Sequence, residues 1–412
     1  MGNILLKTTT LTILSSSLLI ASGWRLPESS AKSTALSGAY IANANGADAT
    51  YYNPANISFN PNIAQVELSL TNVNLKKIQY TDNITPLYNG DSKEENTLIP
   101  TLFLTSASYD DPKLRYGFSI TVPGGLTKRW DEAYAKTFAQ EFSLRIIEFN
   151  PTAAYLLNSN LSIGGGLRVI YSDGIVKSDG GTSKPIKRDL EGTTVEFGYN
   201  LALAYKPTDT TNLSFTYRSN VDLKEDGNAK LYLSGTKVFD GGANVTVPLP
   251  AALSVAYSFK IENTTFEIEA DRTYWSSYEE LDFEYDSAIP AALVPYFDLA
   301  KERDWKDTNA YRIGITHKLD DTVTMMIGFS KDGNPIPDKA VSFESPDYNS
   351  NTYSAGFDYN LDDKSSFGFA YLFSKKKDRS VTNYLSDGTT YIDGTLTNSE
   401  AHLLTLSYRV DF

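Results

Sequence analysis

Val195-Glu196-Phe197-Gly198-Tyr199-Asn200-Leu201-Ala202-Leu203-Ala204-Tyr205 alternates over its whole length. Val195, Phe197, Tyr199, Leu201, Leu203 and Tyr205 fall on one side. Glu196, Gly198, Asn200, Ala202 and Ala204 fall on the other. Successive side chains of a β-strand point to opposite faces, so this is a strand with one apolar face and one small or polar face. The pattern recurs in Leu161–Tyr171, Leu253–Phe259, Val323–Phe329, Phe367–Phe373 and Leu404–Phe412. The polar side carries many Ser, Gly and Thr residues and some charges. That suits a wet lumen better than the dry interior of a soluble sandwich. After the N-terminus no run of 18 apolar residues occurs, which excludes a helical membrane protein and leaves a strand-built one open.

The connections between these segments alternate in length. Short turns stand at Tyr109–Pro112, Asn158–Asn160, Pro207–Thr210, Ile261–Asn263, Leu319–Asp321 and Leu361–Asp363. Longer links lie near 80–96, 129–140, 178–190, 226–243, 286–304, 332–348 and 378–395. Six short and seven long connections join fourteen strands, with both chain ends on the short-turn side. The expectation is an all-β fold, a 14-stranded antiparallel transmembrane β-barrel with periplasmic turns and external loops. It would sit in the outer membrane of a Gram-negative bacterium, contacting its lipid and lipopolysaccharide. The terminal strand ending in Phe412 would be the signal for the barrel-assembly machinery.

Bulk composition narrows the chemistry. The 412 residues include no Cys and two His, which leaves no disulfide, no thiolate and little His-based catalysis. A net charge of −13 argues against a nucleic-acid partner. The 27 Tyr and 20 Phe fit strands and interfacial aromatic girdles. Residues 1–22 read as a signal peptide, with Lys7 before the short apolar core Leu11–Ile20 and the small residues Ala21, Ser22 and Gly23 at its end. Residues 23–61 do not alternate and are rich in Ser, Ala and Asn. Fourteen strands enclose a lumen too wide for wall side chains to fill. Residues 23–61 are therefore expected to be a plug of short helices and irregular chain inside a barrel of residues 62–412. Pro54 and Pro61 interrupt regular structure where the plug should leave the lumen.

Several motifs together resemble the FadL family of outer-membrane transporters for long-chain fatty acids and other hydrophobic compounds. They are Gly23-Trp24-Arg25-Leu26, Asn53-Pro54-Ala55, Ser119–Leu126, Pro248-Leu249-Pro250, Tyr274-Trp275-Ser276, Trp305-Lys306-Asp307 with Tyr311–Gly314, and Asn334–Asp338 with Pro346-Asp347. The resemblance runs essentially end to end. One departure is the link near 178–190, short and polar here, where the family can carry a long apolar insertion forming part of an outer site.

The resemblance implies a passive channel acting as a monomer, with no cofactor, no metal and no catalysis. Lys301 stands four residues before Trp305, where the family has a basic residue that binds the ligand carboxylate. Lys177, near the family's second basic position, and Arg168, in the lumen-facing register, are candidate partners. Trp24, at the head of the plug, is expected at the same ligand. Asn53, Pro54 and Ala55 would be the plug signature. Pro123, Gly124 and Gly125 would kink the third strand and open a lateral gap toward lipid. Proline removes a ladder donor there and glycine lets the backbone leave the sheet. The apolar loop Ala288–Phe297 could fold inward as pocket wall or cap the barrel outside. The alternatives are a general diffusion porin, which has no plug before its first strand, and an outer-membrane lipase. For a lipase, His317 and His402 lie in the lipid-facing register, where a general base has no use.

Overall fold

The computed structural model describes residues 23–384 and 390–412, and the expected signal segment 1–22 lies outside the described residues. Fourteen strands form one barrel. They are β1 Gln65–Leu75, β2 Glu95–Thr105, β3 in two pieces (Leu114–Thr121 and Gly125–Arg129), β4 Glu141–Asn158, β5 Leu161–Asp179 and β6 Ile186–Thr208. They continue with β7 in two pieces (Thr211–Arg218 and Val221–Leu233), β8 in two pieces (Thr236–Leu249 and Ala252–Ile261), β9 Thr264–Thr273 and β10 Thr308–Lys318. The last four are β11 Val323–Asp332, β12 Ser350–Asn360, β13 Ser365–Lys376 and β14 Glu400–Asp411. β14 closes on β1 from Gln65↔Asp411 to Leu75↔Ala401, and the amide of Phe412 donates to the Ala64 carbonyl at 2.9 Å. Closure pairs the first strand with the last, which removes the two terminal sheet edges from the hydrocarbon, where an unpaired backbone group is costly.

Phe197, Leu201, Ile313, Ile327 and Leu404 are exposed on the outer face, while Ala202, Ala204, Ser330 and Thr405 are buried inside. The alternation is that expected from sequence, but the inner face is covered by the plug rather than wet. Strand lengths are uneven. β1, β2 and β9–β14 have 10–12 residues, about the length a tilted strand needs to cross a bilayer. β4, β5 and β6 have 18, 19 and 23 residues, so this side of the wall rises past the apolar band as an overhang.

Two expected loops are therefore strand. The link near 226–243 is a continuation of β7 and β8 to a tight turn at Ser234 and Gly235, whose φ angles of 51° and 79° suit a two-residue hairpin. The link near 178–190 shrinks to residues 180–185, because β5 and β6 run on through its ends. Above the bilayer neither face meets lipid, so these stretches lack the apolar stripe that marks a membrane strand.

β7 and β8 kink together at Ser219-Asn220 and Pro250-Ala251. Below the kink Asn212, Ser214 and Thr216 of β7 are buried; above it Val221, Leu223 and Glu225 are. The inward parity has changed from even to odd. The register between β7 and β6 slips by one residue, from Arg218↔Asn200 to Asp226↔Thr193, and such a slip exchanges the two faces of a strand.

The plug runs from Gly23 through helix α1 (Ala31–Ala35) and helix α2 (Ala49–Tyr52) to a 3-10 turn at Pro54–Phe59. Its backbone is tied to inner-face side chains of the wall. The amide of Ala31 donates to Ser407 Oγ at 3.0 Å, and Ser354 Oγ donates to the Ala35 carbonyl at 2.7 Å. The amides of Ala42 and Asn43 donate to Glu267 at 2.6 and 2.9 Å, and that of Tyr40 to Glu269 at 3.1 Å. Arg312 binds Asp271 at 2.7 Å, Asp332 at 3.0 Å and the Ser37 carbonyl at 2.9 Å. Of the three inward acids on β9, only Asp271 serves an arginine; Glu267 and Glu269 hold plug backbone instead.

Candidate functional site

Asn53, Pro54 and Ala55 lie against the wall at the plug's inner end. Asn53 donates to the Ile41 carbonyl and to Ser214 Oγ, both at 2.9 Å, and accepts from the Ala55 amide at 3.1 Å. It thereby caps the 3-10 turn, with Pro54 at the first position where no donor is needed. One side chain joins two parts of the plug to β7.

At Pro123 to Gly125 the third strand kinks and then continues. Four residues of β3 span the distance of three on β4, from Thr121↔Glu148 to Gly125↔Arg145. β2 and β3 pair only from Leu102 to Thr105 against Gly117 to Ile120. Farther out they diverge, and they meet again where Lys93 N donates to the Arg129 carbonyl at 2.8 Å and Arg129 pairs with Glu95. The kink does not leave all its backbone bare. Leu26 N donates to the Pro123 carbonyl at 2.9 Å, and Gly125 N to the Trp24 carbonyl at 2.8 Å. Gly124 is required for this approach, since a Cβ there would stand 2.5 Å from the Trp24 carbonyl oxygen.

Trp24 is buried in a cluster with Trp275, Trp305 and Tyr278, with ring centroids at 4.7, 4.8 and 5.3 Å. Gly23 fits tightly beneath it: φ is +65°, and its amide donates to Asp347 Oδ2 at 2.9 Å. The plug's first residues thus touch both the strand kink and the external loops.

Lys301, four residues before Trp305, is paired through its backbone with Leu281 in a two-residue ladder. Arg303, two residues on, binds Glu344 at 3.3 Å and lies over the Tyr278 ring. Tyr391 donates to the other Glu344 oxygen at 3.1 Å. The second cation beside Lys301 is neither Lys177 nor Arg168 but Arg188. Arg188 reaches in from the overhanging end of β6, with its guanidinium 4.8 Å from the Phe283 ring and 5.2 Å from Phe297. It is 3% exposed, and its Nε and Nη1 have no hydrogen-bond partner.

Lys177 lies on the outer face of β5, between Glu141 and Asp189 at 3.8 Å each. It follows the lipid-facing register there, so its side chain points away from Lys301. Arg168 is inward and buried but engaged, binding Glu148 at 2.8 Å and the Ser219 carbonyl at 2.6 Å, with Arg218 on the same carboxylate. These two expected partners therefore do not converge with Lys301. Arg188 was hidden in the polar stretch Lys184-Pro-Ile-Lys-Arg-Asp189, which reads as loop. Arg303 was legible in principle, since positions 301 and 303 share one side of an extended segment.

Burial pushes the Lys301 ammonium down to about 8; Glu344 opposes this, and Arg188 and Arg303 add to it. Burial acts to raise Glu344, but Lys301 and Arg303 outweigh it and hold the carboxyl at about 2. Three cations thus surround one carboxylate, with Arg188, Arg303 and Glu344 buried and Lys301 half-buried, which leaves positive charge in excess and free N–H donors on Arg188. Such a site can hold an anion through charge-assisted hydrogen bonds.

Below it runs a cleft lined by Phe142, Leu144, Val176, Leu190, Val245 and Phe283. Its cavity volume is about 40 Å³, so side chains or plug must shift to admit a hydrocarbon chain. From the loop Ala288–Phe297, Ile289, Leu293 and Phe297 are buried in the same core, so the loop folds inward as wall.

The model of the family described as outer membrane protein transport protein (OMPP1/FadL/TodX) matches residues 12–412. A long-chain fatty acid transport protein of Escherichia coli O6:H1 is 23% identical over 357 residues, covering 74% of this chain and 78% of that one. Outer membrane protein P1 of Haemophilus influenzae is 22% identical, covering 76% and 75%. The crystal structure of a Pseudomonas aeruginosa FadL homologue superposes with a TM-score of 0.84 at 19% identity, covering 95% of this chain and all of that one. The Pseudomonas putida toluene transporter TodX gives 0.70 at 20% identity, covering 93% and 98%. A plugged fourteen-strand barrel matched by that family model over nearly its full length belongs to the OMPP1/FadL/TodX family of outer-membrane transport proteins, which are channels and not enzymes.

Proposed function

We propose that this outer-membrane transporter takes up long-chain fatty acids or similar amphipathic acids by passive diffusion. The observation that carries the reading is the group Arg188, Lys301 and Arg303 around the single carboxylate Glu344, set at the head of an apolar cleft. A carboxylate head would be held there and its chain would lie in the cleft. The relatives named as fatty acid transport proteins support the same ligand class.

In the proposed sequence the acid arrives from outside, binds, and displaces Trp24 and its neighbours, which share an aromatic cluster with Tyr278, the ring under Arg303. Movement of Trp24 to Leu26 frees the backbone of Pro123 to Gly125 and opens the space between β2 and β3. The ligand then leaves sideways into the bilayer. The axial route is less suited to it, because the cavity at the periplasmic end is lined by Asn43, Asn45, Asn56, Asn60, Lys206 and Lys260. No cofactor or nucleotide takes part.

The test is extraction of lipid from the purified protein, followed by mass spectrometry and displacement with added fatty acid. Amphipathic acids that exchange with the added one are expected. Detergent alone, with no displacement, would remove the proposal.

A further inference from the structure

Glu225 has no place in the scheme above. It lies on the inward face of the upper piece of β7, in the wall of the cleft, packed over Gly174 of β5 and Gly192 of β6. It is 3% exposed, and neither carboxylate oxygen has a hydrogen-bond partner. Among the described residues no lysine or arginine pairs with it. Its nearest polar neighbour is Ser172, which lies within interaction range but short of a well-formed hydrogen bond, and Asp173 beyond it is taken by Arg145. Leu144, Val176, Leu190 and Val245 line the cleft with it, as do Asn228 and Asn244. A buried carboxyl and a buried hydroxyl that interact only loosely with each other in a largely apolar cleft still carry a penalty. A cleft meant for a plain hydrocarbon chain would be better lined by leucine.

We infer that Glu225 and Ser172 form a polar subsite that selects a ligand bearing a hydroxyl group partway along its chain, a hydroxylated long-chain acid. A hydroxyl can donate to Glu225 and accept from Ser172 at once, so one ligand group satisfies both. Its place along the chain follows from the wall. Arg188 and Gly192 are on the same face of β6, four residues apart, or about 13 Å at ~3.3 Å per residue. An extended alkyl chain advances ~1.3 Å per bond, so the hydroxyl falls roughly ten carbons from the head group. The inference rests on the proposed binding of an acid head at Lys301 and Arg188.

The experiment is competition for a labelled fatty acid bound to the full-length protein in detergent. The competitors are hexadecanoic acid, 10-hydroxyhexadecanoic acid and 10-methoxyhexadecanoic acid. The hydroxy acid should bind roughly tenfold better than either of the others, the worth of one buried hydrogen bond to a charged group. The methoxy acid separates the donor from mere bulk. Glu225→Leu should reverse the order, favouring hexadecanoic acid. Glu225→Gln, which keeps size and folding, should retain part of the preference. Equal binding of all three by the wild type, or a preference unchanged in Glu225→Leu, overturns the subsite. If hexadecanoic acid binding still depends on Lys301 in that case, the head-group reading survives. If no acid binds, both fall together.

Discussion

At the scale of single residues, the unequal roles of the four charged groups are the most testable feature. Arg188 makes no ion pair of its own, and Glu344 keeps Arg303 when it is gone, so Arg188→Met removes a buried charge at the loss of little more than its contact with Tyr285. The affinity for a fatty acid should fall by roughly 10–100-fold, the range for a charge-assisted hydrogen bond. Thermal stability should stay level or rise, as often follows replacement of buried charge by an apolar side chain. Glu344→Gln should do the opposite, lowering stability because three cations then lack their only carboxylate. Isothermal binding and thermal denaturation on the same preparations decide between these patterns.

Lys301 adds a pH signature. Its folded value of about 8 lies below the ordinary 10.5, so the ammonium is charged below about pH 8 and lost above it. Affinity for a carboxylate ligand should therefore be level below pH 8 and decline as pH rises through it. Stability moves the other way: between about 8 and 10.5 the unfolded chain holds a proton that the folded chain does not, so stability rises with pH across that window. A binding curve flat from pH 7 to 10 would show that Lys301 does not hold the head group.

At the scale of elements, the kink in β3 is a one-residue surplus. Reading the residues alone suggests replacing Pro123, Gly124 and Gly125 with Val or Thr. The structure offers a cleaner change, because deleting Gly124 alone equalises β3 with β4 and removes the bulge. β3 should then run straight and pair with the outer half of β2. The same deletion breaks the contacts of Trp24 and Leu26 with the kink, so the gain in ladder is partly offset. Uptake of labelled fatty acid by cells with normal surface levels of the variant should drop well below wild type, while binding to purified protein persists. Unchanged uptake would sink lateral release and leave the barrel, plug and head-group site standing.

At the scale of the whole molecule, the plug and the barrel are one polar interface. Glu267, Glu269, Arg312, Ser354 and Ser407 each make at least one hydrogen bond to plug backbone. Deleting Trp24 to Phe59 should open the lumen and raise conductance in planar bilayers, because fourteen strands leave a channel wider than their side chains can fill. It should also lower thermal stability, since those inward groups lose their partners. A large steady conductance from the intact protein would favour the general porin instead.

The sequence alone determined the strand count, the alternation and the place of the turns, because each is set by local chemistry. Lipid on one side and a polar plug on the other impose period 2, and Asp, Asn and Pro mark the reversals. It also set the non-alternating stretch before the first strand apart from the wall, and the structure has short helices there and no barrel strand. Where those outside constraints vanish, local pattern fails, so the overhanging ends of β5 to β8 read as loops. The proposed head-group site was beyond reach for the same reason. Lys301 is recognisable beside Trp305, but Arg188 comes from a strand end, Glu344 from a distant external loop and Trp24 from the plug. Only closure of the barrel and the inward packing of its loops set these four beside one another, since burial of charge depends on neighbours far apart in the chain.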